Sequence, residues 1–188
     1  NRCRRQRQMC IRDRIRILKF LLILTISMPI YTQSEYIYVL GNTQDAGMPH
    51  IGCKHQFCLD NFNMYEEYFV TSIAVVNSDL KKYILFDATP DITYQLNYLK
   101  SNIFQEFLLP EAIYITHAHI GHYTGLMYFG REALGSKNLL VKVLPKMSNF
   151  LKTNGPWSQL VTLNNIQIQN TKFDVSNSEL NNIEVTPI

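Results

Sequence analysis

Short apolar runs alternate with segments that have one apolar residue in every three or four along most of this chain. Runs of four to eight apolar or β-branched residues are typical of strands, whereas the wider spacing is typical of amphipathic helices. We predict strands over residues 36–40, 71–76, 83–86, 112–115, 139–144 and 183–188, and a hairpin of 160–163 with 166–169 around Asn164-Asn165. The turn at 77–79 should join two of these strands.

Helix signals fall between the strands. Thr89 is predicted to be an N-cap, with Pro90 at the first helical position. A second helix is predicted over 124–134 and ends at Gly135, and a third runs from 145 to 152. Strands that alternate with helices in this way indicate a single layered α/β domain.

Three of the five histidines lie within six residues, at His117, His119 and His122, directly after the predicted strand 112–115. Residues two apart in an extended chain point to the same side, so the first two imidazoles can face one point. A bend after the strand can bring the third to that point. Imidazole is a common metal ligand, and three protein ligands are typical of a catalytic zinc site. We therefore predict a metal centre here.

A long loop over residues 42–67 separates the first two strands, and it exceeds the length of a plain connection. It contains the other two histidines and two cysteines, namely His50, Cys53, His55 and Cys58. These four side chains could hold a tetrahedral structural zinc ion. Alternatively, the two cysteines could form a disulfide if the protein is exported, or remain free thiols.

The histidine segment resembles the metal-binding signature T-H-x-H-x-D-H-x-x-G of the metallo-β-lactamase-fold superfamily. It matches at Thr116, the three histidines and Gly125, and it departs at Gly121, where the superfamily usually has aspartate. The resemblance implies an αββα sandwich that binds one or two zinc ions. Because Gly121 has no side chain to bind metal, the resemblance supports one metal at His117 and His119 more firmly than a two-metal centre that includes His122.

Within the superfamily, the stretch from Gly41 through Gly47 and Pro49 to Cys53 looks like coenzyme PQQ synthesis protein B and its relatives. Those proteins carry a zinc-binding loop with more cysteines at this place, so only Cys53 and Cys58 carry over. In this superfamily a further histidine ligand lies beyond a strand such as 183–188. The resemblance therefore implies that residues 35–188 form the first half to two-thirds of the domain, in a fragment that is truncated at its C-terminus.

The first 34 residues differ in character from the rest. Residues 1–13 read as non-native sequence, and residues 14–34 have the basic start, short apolar core and polar end of a cleavable signal peptide. That apolar core is too short to span a bilayer, so we expect an exported periplasmic or extracellular protein with no stable membrane span after cleavage. From residue 35 onward there are ten basic and fourteen acidic residues, which excludes a basic nucleic-acid-binding face.

The predicted function is hydrolysis of a small-molecule substrate through a metal-activated water. Asp87, at the end of a predicted strand, is either a partner that orients an imidazole or part of a turn before a helix. No general base is evident, because Gly121 replaces the expected aspartate. The alternatives are an iron-dependent oxidative enzyme like PQQ synthesis protein B, which would need a carboxylate ligand, and a metal-binding domain without turnover.

Overall fold

A computed structural model describes residues 34–62 and 68–188. The predicted non-native segment 1–13 lies outside the described residues, as does the predicted leader 14–34 except for its last residue. Within the described residues the strands are β1 Glu35–Gly41, β2 Ser72–Asn77, β3 Lys82–Phe86, β4 Ala112–Tyr114, β5 Leu139–Val143, β6 Ile166–Asn170, β7 Asn177–Glu179 and β8 Ile183–Val185.

Short helices connect the strands. The α-helices are α1 Gln56–Asp60, α2 Ile92–Leu99, α3 Pro145–Thr153 and α4 Trp157–Thr162. A π-helical turn, Lys100–Phe104, continues α2, and two 3₁₀ turns, Ile120–His122 and Thr124–Phe129, follow the histidine motif. None of the helices in the described part of the chain is long and apolar enough to cross a bilayer.

Strands β1 to β6 form one sheet in sequence order. The first three strands pair antiparallel, as the predicted hairpin over 71–86 requires, and β3 to β6 pair parallel to one another. Strands β7 and β8 form a separate antiparallel pair. The domain therefore has the mixed α/β architecture that the sequence predicts, with helices flanking the six-stranded sheet.

Both faces of the central strands are buried, which explains their continuous apolar sequence. In β3, Tyr83 and Leu85 pack into the larger core with the helices, whereas Ile84 points to the opposite face. There it packs with Leu180 and Ile183, from the β7–β8 pair and the turn within it. The small sheet therefore covers the face that the helices leave open.

A buried polar group fastens β7 to the central sheet. The Tyr114 hydroxyl donates to Glu179 Oε1 at 2.6 Å, and Lys142 forms an ion pair with the same carboxylate. Burial, followed by the hydrogen bond to Glu179, raises the pKa of the Tyr114 hydroxyl well above its usual range. The hydroxyl therefore stays protonated and can act as the donor.

The predicted hairpin over 160–169 is wrong. Residues 157–162 form helix α4, and Asn164 has a positive φ of +56°. The amide of Asn165 donates to Leu160 O at 2.8 Å, and the amide of Asn164 donates to Val161 O at 3.1 Å. This pattern closes a helix C-terminus. Hairpin turns and helix ends both use asparagine in the left-handed region, so the same two residues fit either structure.

Two helix predictions also need correction. Residues 124–134 form a 3₁₀ turn and further turns in place of an α-helix. The amide of Gly125 donates to Ala88 O at 2.8 Å, so a bond to another part of the chain replaces a helical one. Helix α2 begins at Ile92, after Pro90, and Thr89 Oγ1 accepts from the Asp91 amide at 3.2 Å. Gly135 has a left-handed conformation, with φ +62°, but it does not end an α-helix as predicted.

Candidate metal centre

The candidate site lies where two neighbouring parallel strands end. Asp87 directly follows β3, and the segment from Thr116 to His122 follows β4. Carboxyl ends of adjacent parallel strands open at the same edge of a sheet, where side chains from successive loops can meet. A further backbone bond joins the two strands at this end, because the amide of Asp87 donates to O of Tyr114, the last residue of β4, at 2.8 Å.

The three predicted histidine ligands converge at this edge. His117 Nε2 lies 3.0 Å from His119 Nδ1, and the ring centroids of His117 and His122 are 4.0 Å apart. Their environments differ, since the side chain of His119 is 76% exposed and that of His122 only 10%. The extended backbone after β4 presents the first two rings, and the 3₁₀ turn Ile120–His122 returns the third toward the core.

Asp87 holds the buried side of the site. Its carboxylate accepts the Thr116 amide at 2.8 Å, the Thr116 hydroxyl at 2.9 Å and His122 Nδ1 at 2.7 Å. The Asp87 backbone has φ +69°, a left-handed conformation that is uncommon outside glycine but is tolerated by aspartate. Left-handed residues of this kind cluster at functional sites. The contact is the one expected of a residue that orients an imidazole, and that role stays a prediction.

An ionised Asp87 would select the tautomers of two rings. A carboxylate only accepts hydrogen bonds, so His122 Nδ1 and the Thr116 hydroxyl both donate to Asp87. Because that hydroxyl has no second proton, His117 Nδ1, at 3.0 Å from Thr116 Oγ1, must donate to it. The lone pair of His117 is then on Nε2, which faces His119. A neutral imidazole in this state presents a metal-binding nitrogen to the site.

A carboxylate that the sequence motif does not predict completes the cluster. Asp45, in the loop after β1, places Oδ1 at 3.0 Å from His122 Nε2 and Oδ2 at 3.9 Å from His119 Nδ1. The sequence gives only an indirect signal for it. Gly121 leaves the motif one carboxylate short, but no local pattern indicates Asp45, because 77 residues separate it from His122.

The donor set suits a divalent metal, although the side chains are not arranged around one point. Over residues 34–62 and 68–188, no group of three or more His, Cys, Asp or Glu is placed to hold an ion as it stands. His117 and His119 instead face each other at 3.0 Å, a hydrogen-bonding distance. Two nitrogen ligands of a tetrahedral zinc ion lie about 3.3 Å apart, and both lone pairs aim at the ion and not at each other. The two exposed rings would therefore have to rotate to share an ion.

The contact between His122 and Asp45 also indicates a place for a cation. With Nδ1 donating to Asp87, a neutral His122 has its lone pair on Nε2, which lies 3.0 Å from a carboxylate oxygen of Asp45. Two electron-pair donors this close need a proton or a metal ion between them. The residues present therefore fit a metal ion in their chemistry.

The second predicted cluster is not a four-ligand zinc site in the structure. Cys53 and Cys58 form a disulfide, so neither sulfur is a thiolate that could bind metal. His50 and His55 are both exposed. Of the alternatives that the sequence left open, the structure contains the disulfide. It joins Cys53, in the loop before α1, to Cys58 within α1.

The aromatic residue that follows the motif is part of the core. Tyr123 is 6% exposed, and its ring packs against Phe150 and Trp157 with centroid separations of 5.7 and 4.9 Å. The indole of Trp157 donates to Tyr123 O at 3.3 Å. This cluster packs beside the start of the second 3₁₀ turn, and the Tyr123 ring is not part of the site.

Solved structures of other proteins share this fold, and two of them match the chain as follows. The chain matches the Zn²⁺-bound PqqB from Methylobacterium extorquens with a TM-score of 0.64 and 18% identity, over 80% of this chain and 50% of that one. It matches a diphosphatase of the PhnP family with a TM-score of 0.55 and 22% identity, over 78% of this chain and 53% of that one. No protein-family model matches the chain. No curated protein matches it either.

The chain thus spans about half the length of the two solved structures that it matches. At these identities the similarity shows the fold alone. The resemblance drawn from the histidine motif is confirmed at that level: the chain has the metallo-β-lactamase fold, in a form similar to that of PqqB.

Proposed function

We propose that the protein is a metal-dependent hydrolase that acts on a small-molecule substrate. The observation that carries this proposal is the convergence of His117, His119 and His122 at the carboxyl edge of the sheet, with two carboxylates beside them. Sites of this composition, with one open coordination position, are typical of hydrolytic zinc enzymes. Zinc is the proposed metal, with one ion at His117 and His119 and His122 as a third ligand or a ligand to a second ion.

Each residue has a distinct part in this proposal. A bound metal would supply an activated water with a pKa of about 7 and polarise the scissile bond. His117 and His119 would hold it from the exposed side, where the 76% exposure of the His119 side chain leaves room for a substrate. His122 would hold it from the buried side. Asp87 fixes the His122 ring directly and the His117 ring through the Thr116 hydroxyl.

The structural relatives support the coarser part of the proposal. PqqB of similar fold was solved with bound Zn²⁺, and the PhnP-family relative is a diphosphatase, which is a hydrolase of phosphate compounds. We carry zinc and hydrolysis over to this chain as proposals. Phosphate esters and diphosphates therefore head the panel of substrates to be tested, followed by lactones and other esters.

Metal analysis of the whole chain, combined with turnover on that panel, tests the proposal. Stoichiometric zinc and hydrolysis that His117→Ala abolishes are the expected results. His55→Ala is the matched control, because it removes an exposed histidine outside the site. Protein that binds zinc but hydrolyses nothing on the panel would instead support a metal-binding domain without turnover.

One contact favours a second candidate, an iron-dependent oxidative enzyme. Two histidines and one carboxylate on one face are the typical ligands of non-haem ferrous iron. Asp45, next to His119 and His122, supplies the carboxylate that this alternative requires. Iron in the purified protein and oxygen-dependent turnover would support this function over hydrolysis.

We also propose that the protein is exported by its 14–34 leader. The Cys53–Cys58 disulfide supports this proposal, because disulfides persist in oxidising compartments and are rare in the cytosol. Fusing residues 14–34 to a phosphatase reporter that folds only after export should give reporter activity. Reporter retained inside the cell would contradict the proposal.

A further inference from the structure

The space beside His122 that a side chain at position 121 would fill is already occupied by another residue. A Cβ built on Gly121 would lie 2.7 Å from Asp45 Cβ, 2.8 Å from Asp45 Cγ and 3.0 Å from Asp45 Cα. Carbon atoms that are not bonded make contact at about 3.5–4.0 Å. Asp45 can therefore occupy this space only because residue 121 is glycine, since any side chain at 121 would displace the aspartate.

From this packing we propose that Asp45 is the carboxylate ligand of the metal centre and replaces the aspartate that Gly121 lacks. The inference rests on the metal centre proposed above and adds a ligand to it. Relative to the superfamily motif, the carboxylate is absent from the 3₁₀ turn after β4 and is supplied by the turn after β1. The glycine is what makes the exchange possible.

Asp45 is aimed at the site by its contacts. Its two oxygens face two different imidazoles, with Oδ1 at 3.0 Å from His122 Nε2 and Oδ2 at 3.9 Å from His119 Nδ1. Its side chain is 34% exposed, so it is partly shielded while the site remains accessible. His122 is then flanked by two carboxylates with different tasks. Asp87 accepts from Nδ1 and orients the ring, whereas Asp45 would bind the cation together with Nε2.

The backbone near Asp45 is fixed well enough to deliver a ligand. The Thr43 amide donates to Phe69 O at 3.1 Å, and the Thr71 amide and hydroxyl donate back to Thr43 O at 2.9 and 2.7 Å. A tight turn follows, because the Gly47 amide donates to Gln44 O at 2.9 Å and Gly47 has φ +74°. Asp45 is the first residue inside that turn, two positions beyond the anchored residue Thr43.

Zn²⁺ affinity of the whole chain, measured by competition with a chromophoric chelator, tests this assignment without reference to activity. Asp45→Asn keeps the size of the side chain and removes its charge, and it should weaken Zn²⁺ binding at least about tenfold. Asp60→Asn is the matched control, because it removes an exposed carboxylate at the end of α1 from the same loop. The control should bind Zn²⁺ as the wild type does.

The exchange itself is tested by moving the carboxylate back. Asp45→Gly should weaken Zn²⁺ binding, and the double variant Asp45→Gly/Gly121→Asp should restore most of the lost affinity. The visible absorption spectrum of the Co²⁺-loaded double variant should show the same coordination number as that of the wild type. Thermal unfolding of each variant shows that it is folded.

Unchanged Zn²⁺ affinity in Asp45→Asn, with metal bound in the wild type, overturns the assignment of Asp45 and leaves the histidine centre standing. Weak binding in Asp45→Asn without recovery in the double variant overturns the exchange between the two positions. Failure of the wild type to bind Zn²⁺ or Fe²⁺ overturns the centre itself and this inference with it.

Discussion

The two sides of the candidate site are held in different ways. On the core side, the side chains of His122 and Asp87 are 10% and 6% exposed and bond to each other at 2.7 Å. On the solvent side, His119 is 76% exposed. Hydrogen bonds at the end of the sheet therefore fix the core side of the site. The solvent side consists of exposed rings and a loop, and its arrangement depends on the metal ion that they would share. Substitutions on the core side should affect stability and metal binding together, and those on the solvent side metal binding alone.

The largest loss of stability is expected for Asp87→Ala. It leaves the buried His122 ring without its acceptor, which costs about 1–3 kcal/mol. The amide and hydroxyl of the exposed residue Thr116 lose the same acceptor and add a smaller cost. We expect the free energy of unfolding in urea to fall by about 3 kcal/mol, with metal binding lost as well. Asp79→Ala, an exposed aspartate in the β2–β3 turn, serves as the control. A loss below about 1 kcal/mol would mean that the core side is not held by this carboxylate.

A smaller loss is expected for Gly125→Ala, which tests the packing behind the motif. A Cβ at Gly125 would lie 2.1 Å from Thr89 O and 2.9 Å from Ala88 C, both backbone atoms that cannot move independently. Overpacking of this kind costs about 1–3 kcal/mol, and we expect about 2 kcal/mol by urea unfolding. At Gly155 an added Cβ would meet no heavy atom within 4 Å, so Gly155→Ala is the matched control. Equal stability of the two variants would contradict the close packing.

Removing the disulfide by Cys53→Ser/Cys58→Ser should act on the loop side. The closed loop is short, with a sequence separation of 5, so loop-closure entropy predicts a loss of about 2 kcal/mol at most. Metal binding should change less than in Asp45→Asn. Mass spectrometry of the unreduced wild type should show a deficit of about two protons at this pair. Free thiols in protein isolated without reductant would contradict the disulfide.

The smallest stability change should come from His119→Ala, despite its large effect on binding. Its side chain is 76% exposed, and exposed substitutions usually change stability by less than about 0.5 kcal/mol. Metal content should nevertheless fall well below that of the wild type, whereas His50→Ala should retain it. A His119→Ala protein that unfolds at much lower denaturant when both proteins are metal-free would contradict the division between the two sides.

Strand positions could be predicted from the sequence because β3, β4 and β5 are buried on both faces, which requires continuous apolar runs. The histidine cluster was equally visible, since its ligands are close in the chain. Helices were harder to predict, because two asparagines that close helix α4 also suit a hairpin. At 124–134, the bond between Gly125 and Ala88 outweighs local helix propensity.

The ligand set of the site could be predicted only in part. Asp45 lies 77 residues before His122, in a loop whose path depends on hydrogen bonds to the residues just before β2. Nothing in the local sequence shows that it would meet the histidines. The unusual glycine at position 121 marked the place where a carboxylate was missing, but only the three-dimensional packing shows which residue fills that place.

The central claim is that a metal ion binds where the three imidazoles meet, and a crystal structure with anomalous diffraction at the metal absorption edge tests it most directly. We expect a strong peak at about 2.0–2.1 Å from imidazole nitrogens of His117 and His119, with Asp45 alongside. A peak elsewhere in the molecule would contradict the claim. So would no peak in protein crystallised with zinc, with His117 and His119 still paired to each other.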